Sequence, residues 1–462
     1  MMKSLFIKAD SPSAIAAIED DTKLSYNELF EFADSIAQGV DARSLVLFVA
    51  DNSLSSLAAY VGFLRKRIVP IMVRQDIGET LLQSLIEVYR PSHIWQQDSG
   101  NDLGDLVWSN HSHSLVATRI GPPELYRDLA LLLTTSGSTG SQKYVRLSYE
   151  NIESNAISIV QYLRITSRDV AITTLPLSYT FGLSIIHSHL LAGASVVMTR
   201  YSLFDREFWS SFRDNNVTSL SGVPYTYTML KRLHFERMEL PSLRYLTQAG
   251  GHLDNALQED FGLLCQKRGL EFFIMYGQTE GTARLSYLPP ELVLKKVGSI
   301  GKAIPGGRLV LVDENNQEIH APDVVGELVY YGPNVSLGYA SGYKDLSLDD
   351  EWKGRLETGD LAKTDEDGFF TIIGRKKRFL KMFGNRVNLD ELEAFLDSRG
   401  FVTACSGKDD SMKVYIEQGD TREIQDAVSE LTGLYAHAIE YIGIDKLPRS
   451  ESGKILYSSL ET

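Results

Sequence analysis

The fold is decided by the stretch Leu131-Leu132-Leu133-Thr134-Thr135-Ser136-Gly137-Ser138-Thr139-Gly140-Ser141-Gln142-Lys143. An apolar run leads directly into a loop of hydroxyl-bearing residues and glycines, and the loop ends in a lysine. Glycines let a backbone approach a polyphosphate and turn its N–H groups towards it, while hydroxyls and a lysine add donors and charge. The stretch therefore predicts a phosphate-binding loop after a buried strand. The alternative, a flexible Ser/Gly linker, is disfavoured by the apolar run that launches it.

The glycine spacing of this loop distinguishes it from other phosphate loops. It does not follow the pattern GxxxxGK[ST], in which the loop cradles phosphates in kinases and GTPases. A P-loop kinase or NTPase is therefore a disfavoured alternative. Conversion of ATP to ADP rather than to AMP would support it.

Short apolar runs alternate with helical periods on both sides of the loop. The runs lie at residues 45–50, 68–73, 130–133, 171–175, 195–198, 218–220 and 272–275. The capping box Ser25-Tyr26-Asn27-Glu28 begins one helix, and another follows Ser148. This alternation predicts an α/β fold with a large N-terminal domain of layered, largely parallel sheets flanked by helices.

The pattern changes after Ser299. Residues 307–312 and 327–331 resemble hairpin strands separated by Gly, Pro and Asn turns, and the cationic run Gly374-Arg375-Lys376-Lys377-Arg378 follows. We therefore predict an N-terminal domain at residues 1–374, with a β-rich subdomain at 300–374. A small α+β C-terminal domain is predicted at residues 375–462.

The composition disfavours several classes of function. The formal net charge is −14 and there is no basic tract, which disfavours nucleic acid as a partner. Two cysteines without a CxxC pair predict neither a disulfide framework nor a zinc site. No apolar run approaches the length of a membrane span, and the N-terminus lacks a signal-peptide core. We expect a cytoplasmic protein.

Three further motifs follow apolar runs or glycines. They are Tyr276-Gly277-Gln278-Thr279-Glu280, Gln248-Ala249-Gly250-Gly251 and Thr358-Gly359-Asp360. An aromatic ring at a strand end can stack on a base, and a carboxylate can bind Mg²⁺, a cation that prefers oxygen ligands. Each motif alone is also compatible with an ordinary turn.

Taken in order, these motifs resemble the signatures of the adenylate-forming superfamily: acyl-CoA synthetases, adenylation domains of peptide synthetases and luciferase-like enzymes. The resemblance covers nearly the whole chain, from Leu24-Ser25-Tyr26-Asn27-Glu28-Leu29 to Gly453-Lys454. It implies ATP and Mg²⁺ as cofactors. The residues implied to contact the nucleotide are Thr134, Thr135, Ser136, Gly137, Ser138, Thr139, Gly140, Lys143, Gly250, Gly251, Tyr276, Gly277, Gln278, Asp360 and Arg375.

The resemblance also assigns roles. Tyr276 would lie against adenine, Thr279 would contact the α-phosphate, Glu280 would hold Mg²⁺ and Asp360 would accept hydrogen bonds from the ribose. Lys454 would be the catalytic lysine, because a cation between two anions stabilises the charge that develops when a carboxylate attacks a phosphate.

A moving C-terminal domain is part of the same resemblance. Lys377 occupies the hinge position, and Gly384 matches the glycine that lets a pantetheine arm pass. The acyl pocket would be bordered by Tyr179, Val223, Gly250 and Gly281. Tyr179 replaces the usual histidine of acyl-CoA synthetases. No aspartate stands at residues 178–180 to hold an α-ammonium group, so an α-amino acid substrate is disfavoured.

The predicted function is ATP-dependent activation of a small carboxylic acid to acyl-AMP, followed by transfer of the acyl group to a thiol. Coenzyme A is the leading acceptor, and the phosphopantetheine of an acyl or peptidyl carrier protein is the alternative. A rival of another class is a nucleotide-binding protein that has lost catalysis, which Lys454, Glu280 and Asp360 disfavour.

Overall fold

The computed structural model describes residues 11–97, 104–134, 143–382, 385–408, 410–432, 434–435, 439–449 and 455–460. Two compact units make up the chain. The first comprises Met1–Val297, Ala303–Arg308 and Tyr331–Leu356, and the second comprises Gly298–Lys302, Leu309–Tyr330 and Glu357–Thr462. The predicted boundary between residues 374 and 375 stays a prediction.

The strands and helices are numbered in chain order. The strands are β1 (Ile15–Glu19), β2 (Thr22–Ser25), β3 (Leu45–Ala50), β4 (Val69–Arg74), β5 (His93–Gln97), β6 (Asp105–Ser109), β7 (His113–Ala117), β8 (Leu129–Thr134), β9 (Tyr144–Ser148), β10 (Val170–Ile172), β11 (Ser195–Val197), β12 (Ser219–Gly222), β13 (Tyr245–Gln248), β14 (Glu271–Tyr276), β15 (Ser286–Leu288), β16 (Lys302–Ala303), β17 (Arg308–Val312), β18 (Glu318–Ile319), β19 (Gly326–Tyr331), β20 (Tyr339–Ala340), β21 (Arg355–Thr364), β22 (Phe370–Arg375), β23 (Phe379–Met382), β24 (Asn385–Asn388), β25 (Val402–Lys408), β26 (Ser411–Gln418) and β27 (Ile439–Gly443). The helices are α1 (Tyr26–Ala37), α2 (Leu54–Arg65), α3 (Glu79–Tyr89), α4 (Tyr149–Leu163), α5 (Thr180–Leu191), α6 (Arg206–Asp214), α7 (Pro224–Arg232), α8 (Asn255–Arg268), α9 (Leu389–Ser398) and α10 (Thr421–Thr432).

Two mixed sheets form the framework of the first unit. One has the order β16-β15-β14-β13-β12-β10-β11-β1-β2, and its strands from β14 to β1 run parallel. The other has the order β20-β9-β8-β4-β3-β5-β7-β6, with parallel pairing from β8 to β5. Because the carboxyl ends of neighbouring parallel strands share one edge, loops that follow them are brought together.

Alternation of side chains explains how the second of these sheets is buried on both faces. In β3, Val46 and Phe48 belong to a hydrophobic cluster that also contains residues of β1, β11 and helices α1, α2, α4 and α5. Leu45 and Leu47 point to the opposite face and pack in a cluster with Leu85 of α3. The first cluster therefore joins the two sheets through helices.

Helix boundaries follow the caps in the sequence. The Ser25 backbone N–H donates to Glu28 Oε2 over 2.7 Å and the Glu28 N–H donates to Ser25 Oγ, which forms the predicted capping box of α1. Ser148 forms the corresponding box with Asn151 at the start of α4. Each box satisfies backbone donors that an α-helix leaves free at its N-terminus.

The second unit contains three smaller sheets. Their orders are β18-β17-β19-β21-β22, β23-β24 and β25-β26-β27. The side chains of Leu392, Cys405, Val414, Ile424 and Val428 lie in one buried cluster beneath α9 and α10. The C-terminal segment thus has an apolar core of α+β composition.

The predicted α/β fold class is confirmed, and the predicted apolar runs lie in β3, β4, β8, β10, β11, β12 and β14. One strand is shorter than predicted: β10 ends at Ile172 rather than at residue 175. There the hydroxyl of Thr174 donates to the Ser221 carbonyl, and Pro176 has no N–H to continue a ladder. Among the described residues, no helix has the length and apolar character needed to cross a membrane.

Candidate active site

The first unit brings several predicted site segments to one edge of its nine-stranded sheet. Strands β12, β13 and β14 are parallel neighbours, with Gly222 opposite Gln248 and Gln248 opposite Ile274. Val223, Gly250 and the turn after Tyr276 therefore follow the carboxyl ends of three adjacent strands. Open α/β sheets bind ligands at this edge.

Gly250 lies next to two other predicted acyl-pocket residues, Tyr179 and Val223. Gly250 has φ +84°, and a Cβ atom there would lie 2.7 Å from the Tyr179 hydroxyl and 3.1 Å from Val223 Cγ1. A left-handed φ and this close approach both require glycine. Burial raises the pKa of Tyr179, and the positive charge of Arg284 opposes the rise. Gly281 is packed differently, because a Cβ there would lie 2.3 Å from Leu285 Cδ2.

The Tyr276-to-Glu280 motif leads from β14 into a tight turn. A Cβ at Gly277 would lie 1.7 Å from the Ala283 carbonyl oxygen, so only glycine fits there. Thr279–Gly281 form a 3-10 turn, and the following residues, Thr282 and Ala283, have φ of +54° and +96°. Such backbone persists where surrounding contacts determine it, and it is concentrated at functional sites.

Residues 334–336 supply those contacts. Thr282 Oγ1 donates to the Asn334 carbonyl over 2.6 Å, and Asn334 Nδ2 donates to the Gly281 carbonyl over 2.8 Å. The Ser336 N–H donates to the Glu280 carbonyl over 2.9 Å. The turn that carries Glu280 is thus held from a segment more than fifty positions later in the chain.

Tyr339 connects the predicted metal ligand with the predicted phosphate lysine. Its hydroxyl donates to Glu280 Oε1 over 2.8 Å, and Lys143 Nζ lies 3.5 Å from the centre of its ring. Thr279 Oγ1 donates to the carbonyl oxygen of Thr134 over 3.4 Å. Thr134 and Tyr144 pair at the base of the β8–β9 hairpin, so Glu280 and Lys143 stand at the base of the predicted phosphate loop.

A buried arginine fixes the strand that carries Tyr339. Arg146 on β9 is fully buried and donates to the main-chain carbonyls of Tyr339, Leu337 and Leu348. It also forms a 2.6 Å ion pair with Glu351. These bonds hold β20 against β9, and with it the Tyr339 side chain.

Two predicted ribose contacts lie in the second unit. Asp360 and Arg375 face each other across β21 and β22, and Arg375 Nε lies 2.9 Å from Asp360 Oδ1. The Asp360 side chain is 4% exposed, whereas that of Arg375 is 60% exposed. The carboxylate is therefore a buried acceptor next to an accessible cation, rather than the solvent-facing aspartate of an ordinary turn.

Other predicted residues are described only in part. Gly251 is exposed, and its carbonyl accepts a hydrogen bond from Gln248 Nε2 over 2.8 Å. Lys377 lies in the 3-10 turn Lys376–Arg378, and its side chain is not described. The remaining predicted positions lie outside the described residues: Thr135, Ser136, Gly137, Ser138, Thr139, Gly140, Gly384 and Lys454.

The described site suits a magnesium ion that is bound together with phosphates. Within the described part of the chain, no group of three or more His, Cys, Asp and Glu side chains could hold a metal by itself. Mg²⁺ at nucleotide sites is commonly held by one or two carboxylates, the phosphates and water. Glu280 has one oxygen bound to Tyr339, which orients the carboxylate and leaves its Oε2 for such a ligand role.

Sequence reasoning missed Tyr339, Asn334, Ser336 and Arg146. Tyr339 is 59 positions from Glu280, and its contact depends on pairing between β20 and β9. The available signal was local only: Gly338, with φ +115°, precedes it. A glycine at this point indicates a backbone constraint but does not reveal the partner.

Comparison with known proteins identifies the family of the chain. The family model for AMP-binding enzymes matches residues 7–340. The 2-succinylbenzoate–CoA ligase of Bacillus licheniformis is 30% identical over 480 residues, with 97% of each chain covered.

Solved structures show the same fold. A structure of o-succinylbenzoate CoA synthetase from Bacillus subtilis with its acyl-adenylate intermediate has a TM-score of 0.78 and 21% identity, covering 98% of this chain and 96% of that one. A structure of the same synthetase with ATP and magnesium has a TM-score of 0.76 and 22% identity, covering 98% of both chains. The family model matches most of the chain, and the Bacillus licheniformis relative is similar along nearly its full length. The chain therefore belongs to the AMP-binding enzyme family, the adenylate-forming synthetases and ligases.

Proposed function

We propose that this protein is an AMP-forming carboxylate–CoA ligase. In the first step, a carboxylate oxygen of the acid attacks the α-phosphorus of ATP, and the bond to pyrophosphate breaks to give acyl-AMP. In the second, the sulfur of coenzyme A attacks the acyl carbon, its proton is released and AMP leaves.

The grouping of Lys143, Glu280 and Tyr339 at the base of the β8–β9 hairpin carries the proposal. The Lys143 ammonium and the Glu280 carboxylate both contact the Tyr339 side chain. They place opposite charges at the base of the predicted phosphate-binding loop. Lys143 would contact phosphate oxygens, Glu280 would share Mg²⁺ with them, and Thr279 would contact the α-phosphate. The bound metal would neutralise phosphate charge.

The acid and the nucleotide are both anions, so the first step needs positive charge between them. We assign this role to Lys454, because an electrostatic contact made where charge develops lowers the barrier. Tyr276 would support the adenine, and Asp360 and Arg375 would contact the ribose. Their pairing in the second unit supports this last assignment, because it places a buried carboxylate 2.9 Å from an accessible cation.

The thiol-transfer step is assigned to a second domain arrangement. We propose that the C-terminal domain turns about Lys377 between the steps, as a hinge. Gly384 would then line the path of the pantetheine arm. A boundary near residue 374 is supported by the apolar cluster of residues 380–439, which lies wholly on the C-terminal side.

The first acid to test is 2-succinylbenzoate. The support is the full-length similarity to a relative that is named for this substrate. Coenzyme A is the acceptor named for the same relative, and a carrier-protein phosphopantetheine remains the alternative because its thiol arm is the same. A cytoplasmic location is supported by Cys265 and Cys405, which are buried and unpaired.

Acid-dependent exchange of pyrophosphate into ATP tests the first step. We expect exchange with 2-succinylbenzoate, and AMP together with an acyl-CoA once coenzyme A is added. Efficient loading of a carrier protein with poor acyl-CoA formation would instead select the alternative acceptor. ATP binding without exchange over a panel of aryl, short-chain and medium-chain acids would support the inactive nucleotide-binding protein.

A further inference from the structure

Arg284 is a buried cation that has no anionic partner among the residues that the structure describes. Its side chain is 1% exposed and lies between the turn of Glu280 and strand β15. Its Nη1 donates to Met275 Sδ over 2.6 Å and its Nη2 donates to Ser184 Oγ over 3.1 Å. Its Nε has no hydrogen-bond partner, and no carboxylate of the described residues forms an ion pair with it.

Neutral groups surround the guanidinium. The Phe181 ring centre lies 4.0 Å from its central carbon, and the hydroxyls of Tyr162, Tyr179 and Tyr245 are close enough to act on its charge electrostatically. An arginine remains protonated when it is buried, so its desolvation is costly unless an anion compensates it. A cation–π contact offsets only part of that cost.

Arg146, in the same unit, is a buried arginine whose charge is compensated by partners within the chain. It is buried to the same degree, but it has an ion pair with Glu351 and several main-chain carbonyl acceptors. Arg284 instead has an Nε without a hydrogen bond and only neutral partners, the hydroxyls of Ser184 and Tyr162 and the sulfur atom of Met275. The difference indicates that the missing partner of Arg284 is an anion that is not part of the described chain.

The guanidinium neighbours Tyr179, one of the predicted acyl-pocket residues. Phe181 and Ser184 belong to the first turns of α5, and Tyr179 precedes that helix. The Tyr179 hydroxyl is the group that approaches Gly250. Arg284 itself comes four positions after Glu280, on the turn that Asn334 holds through the Gly281 and Arg284 carbonyls.

We propose that Arg284 binds a second carboxylate of the acyl substrate, so that the enzyme selects dicarboxylic acids. The Nε–H of Arg284 donates to one oxygen of this carboxylate. Tyr179 is partly exposed, and its hydroxyl donates to the other oxygen when the Tyr179 side chain turns away from the pocket wall. The first carboxylate remains free to react at the α-phosphate. This inference rests on the proposed ligase function and names the chemical class of its acid.

A matched pair of acids tests this selection. The probes are 2-succinylbenzoate and 4-oxo-4-phenylbutanoate, which shares the reacting chain but lacks the ring carboxylate. For the wild type, we expect kcat/KM in pyrophosphate exchange to favour the dicarboxylate by about 100-fold, since a site built for a polar group rejects the analogue that lacks it. Arg284→Gln should reduce this preference to within about 3-fold, mainly through KM for the dicarboxylate.

Two further variants separate recognition from structure. Arg284→Lys keeps the charge but loses the planar donor set, so it should retain a preference between those of the wild type and Arg284→Gln. Ser188→Ala, one helical turn further along α5, removes a buried hydroxyl that bonds to the Ile185 carbonyl and should leave the preference unchanged. A wild type without preference overturns the inference, and so does an equal loss of kcat/KM for both acids in a folded Arg284→Gln protein.

Binding without turnover distinguishes failure of the inference from failure of the ligase function. The dicarboxylate alone should raise the melting temperature of the wild type and not that of Arg284→Gln. If no acid supports exchange but this shift depends on Arg284, the ligase function fails and the anion site stands. If exchange occurs but neither preference nor shift depends on Arg284, the ligase function stands and the inference fails.

Discussion

Replacing Tyr339 with phenylalanine removes one atom from the centre of the proposed active site. The lost contact is the 2.8 Å hydrogen bond from the hydroxyl to Glu280 Oε1, while the ring beneath Lys143 Nζ remains. A hydrogen bond to a charged group contributes about 1.5 to 3 kcal/mol. If its role is to orient the carboxylate for Mg²⁺, kcat/KM for Mg·ATP should fall by about 10- to 100-fold, because about 1.4 kcal/mol corresponds to tenfold.

The assay is pyrophosphate exchange over a series of Mg²⁺ concentrations, with direct titration of Mg·ATP binding alongside. We expect Tyr339→Phe to need more Mg²⁺ for half-maximal rate, while binding of ATP without metal changes little. Tyr331→Phe is the matched control, because it removes a hydroxyl that contacts Arg355 in the same unit. An unchanged Mg²⁺ requirement in a folded Tyr339→Phe protein would refute the reasoning.

Three other predictions follow from described contacts and pKa shifts, and a fourth follows from the role proposed for Lys454. Gly250→Ala should raise KM for the acid more than KM for ATP in the exchange assay, because its Cβ would meet the Tyr179 hydroxyl at 2.7 Å; a larger effect on ATP would contradict this. Arg146→Met should lower the free energy of unfolding in urea by about 3 to 5 kcal/mol, since it leaves several main-chain carbonyls without their donor, and a loss under about 1 kcal/mol would oppose it. Burial lowers the pKa of His187 to about 3 and that of His189 to about 4, below the ordinary value near 6.5. The free energy of unfolding should therefore be steady above about pH 6.5 and should fall as the pH decreases below it, by up to about 1.4 kcal/mol per histidine per pH unit. His187→Gln should lessen this slope in urea titrations. Lys454→Ala should abolish adenylate formation yet largely spare thiol transfer from supplied acyl-AMP, and an equal loss of both steps would assign the residue to the fold.

Local patterns predicted the elements of the fold because local physics determines them. The strand at Leu45–Ala50 was predicted with its observed bounds, since a run buried on both faces of a sheet is continuously apolar. The helix after Ser25 was placed by its cap, and that cap forms as predicted. In β10 the pattern failed, because the strand ends at Ile172, shortly before Pro176, which has no N–H to continue a ladder.

Contacts between distant positions could not be predicted from the sequence. The bond between Tyr339 and Glu280 depends on how β20 pairs with β9, and the contact between Arg284 and Ser184 joins residues 100 positions apart. Arginine side chains are ordinarily exposed, so nothing in the sequence indicated that Arg146 and Arg284 are buried. The motifs thus predicted which residues would contact the nucleotide, and this stays a prediction, while the groups that orient Glu280 and Lys143 could be found only in the structure.

The most direct test of the proposed function is a reaction without a thiol. The protein is incubated with Mg·ATP and 2-succinylbenzoate, quenched, and its nucleotides are separated. We predict acid-dependent pyrophosphate and a nucleotide with the mass of the acyl-adenylate, which coenzyme A then converts to AMP and acyl-CoA. Formation of ADP, or release of pyrophosphate that does not depend on the acid, would contradict the account.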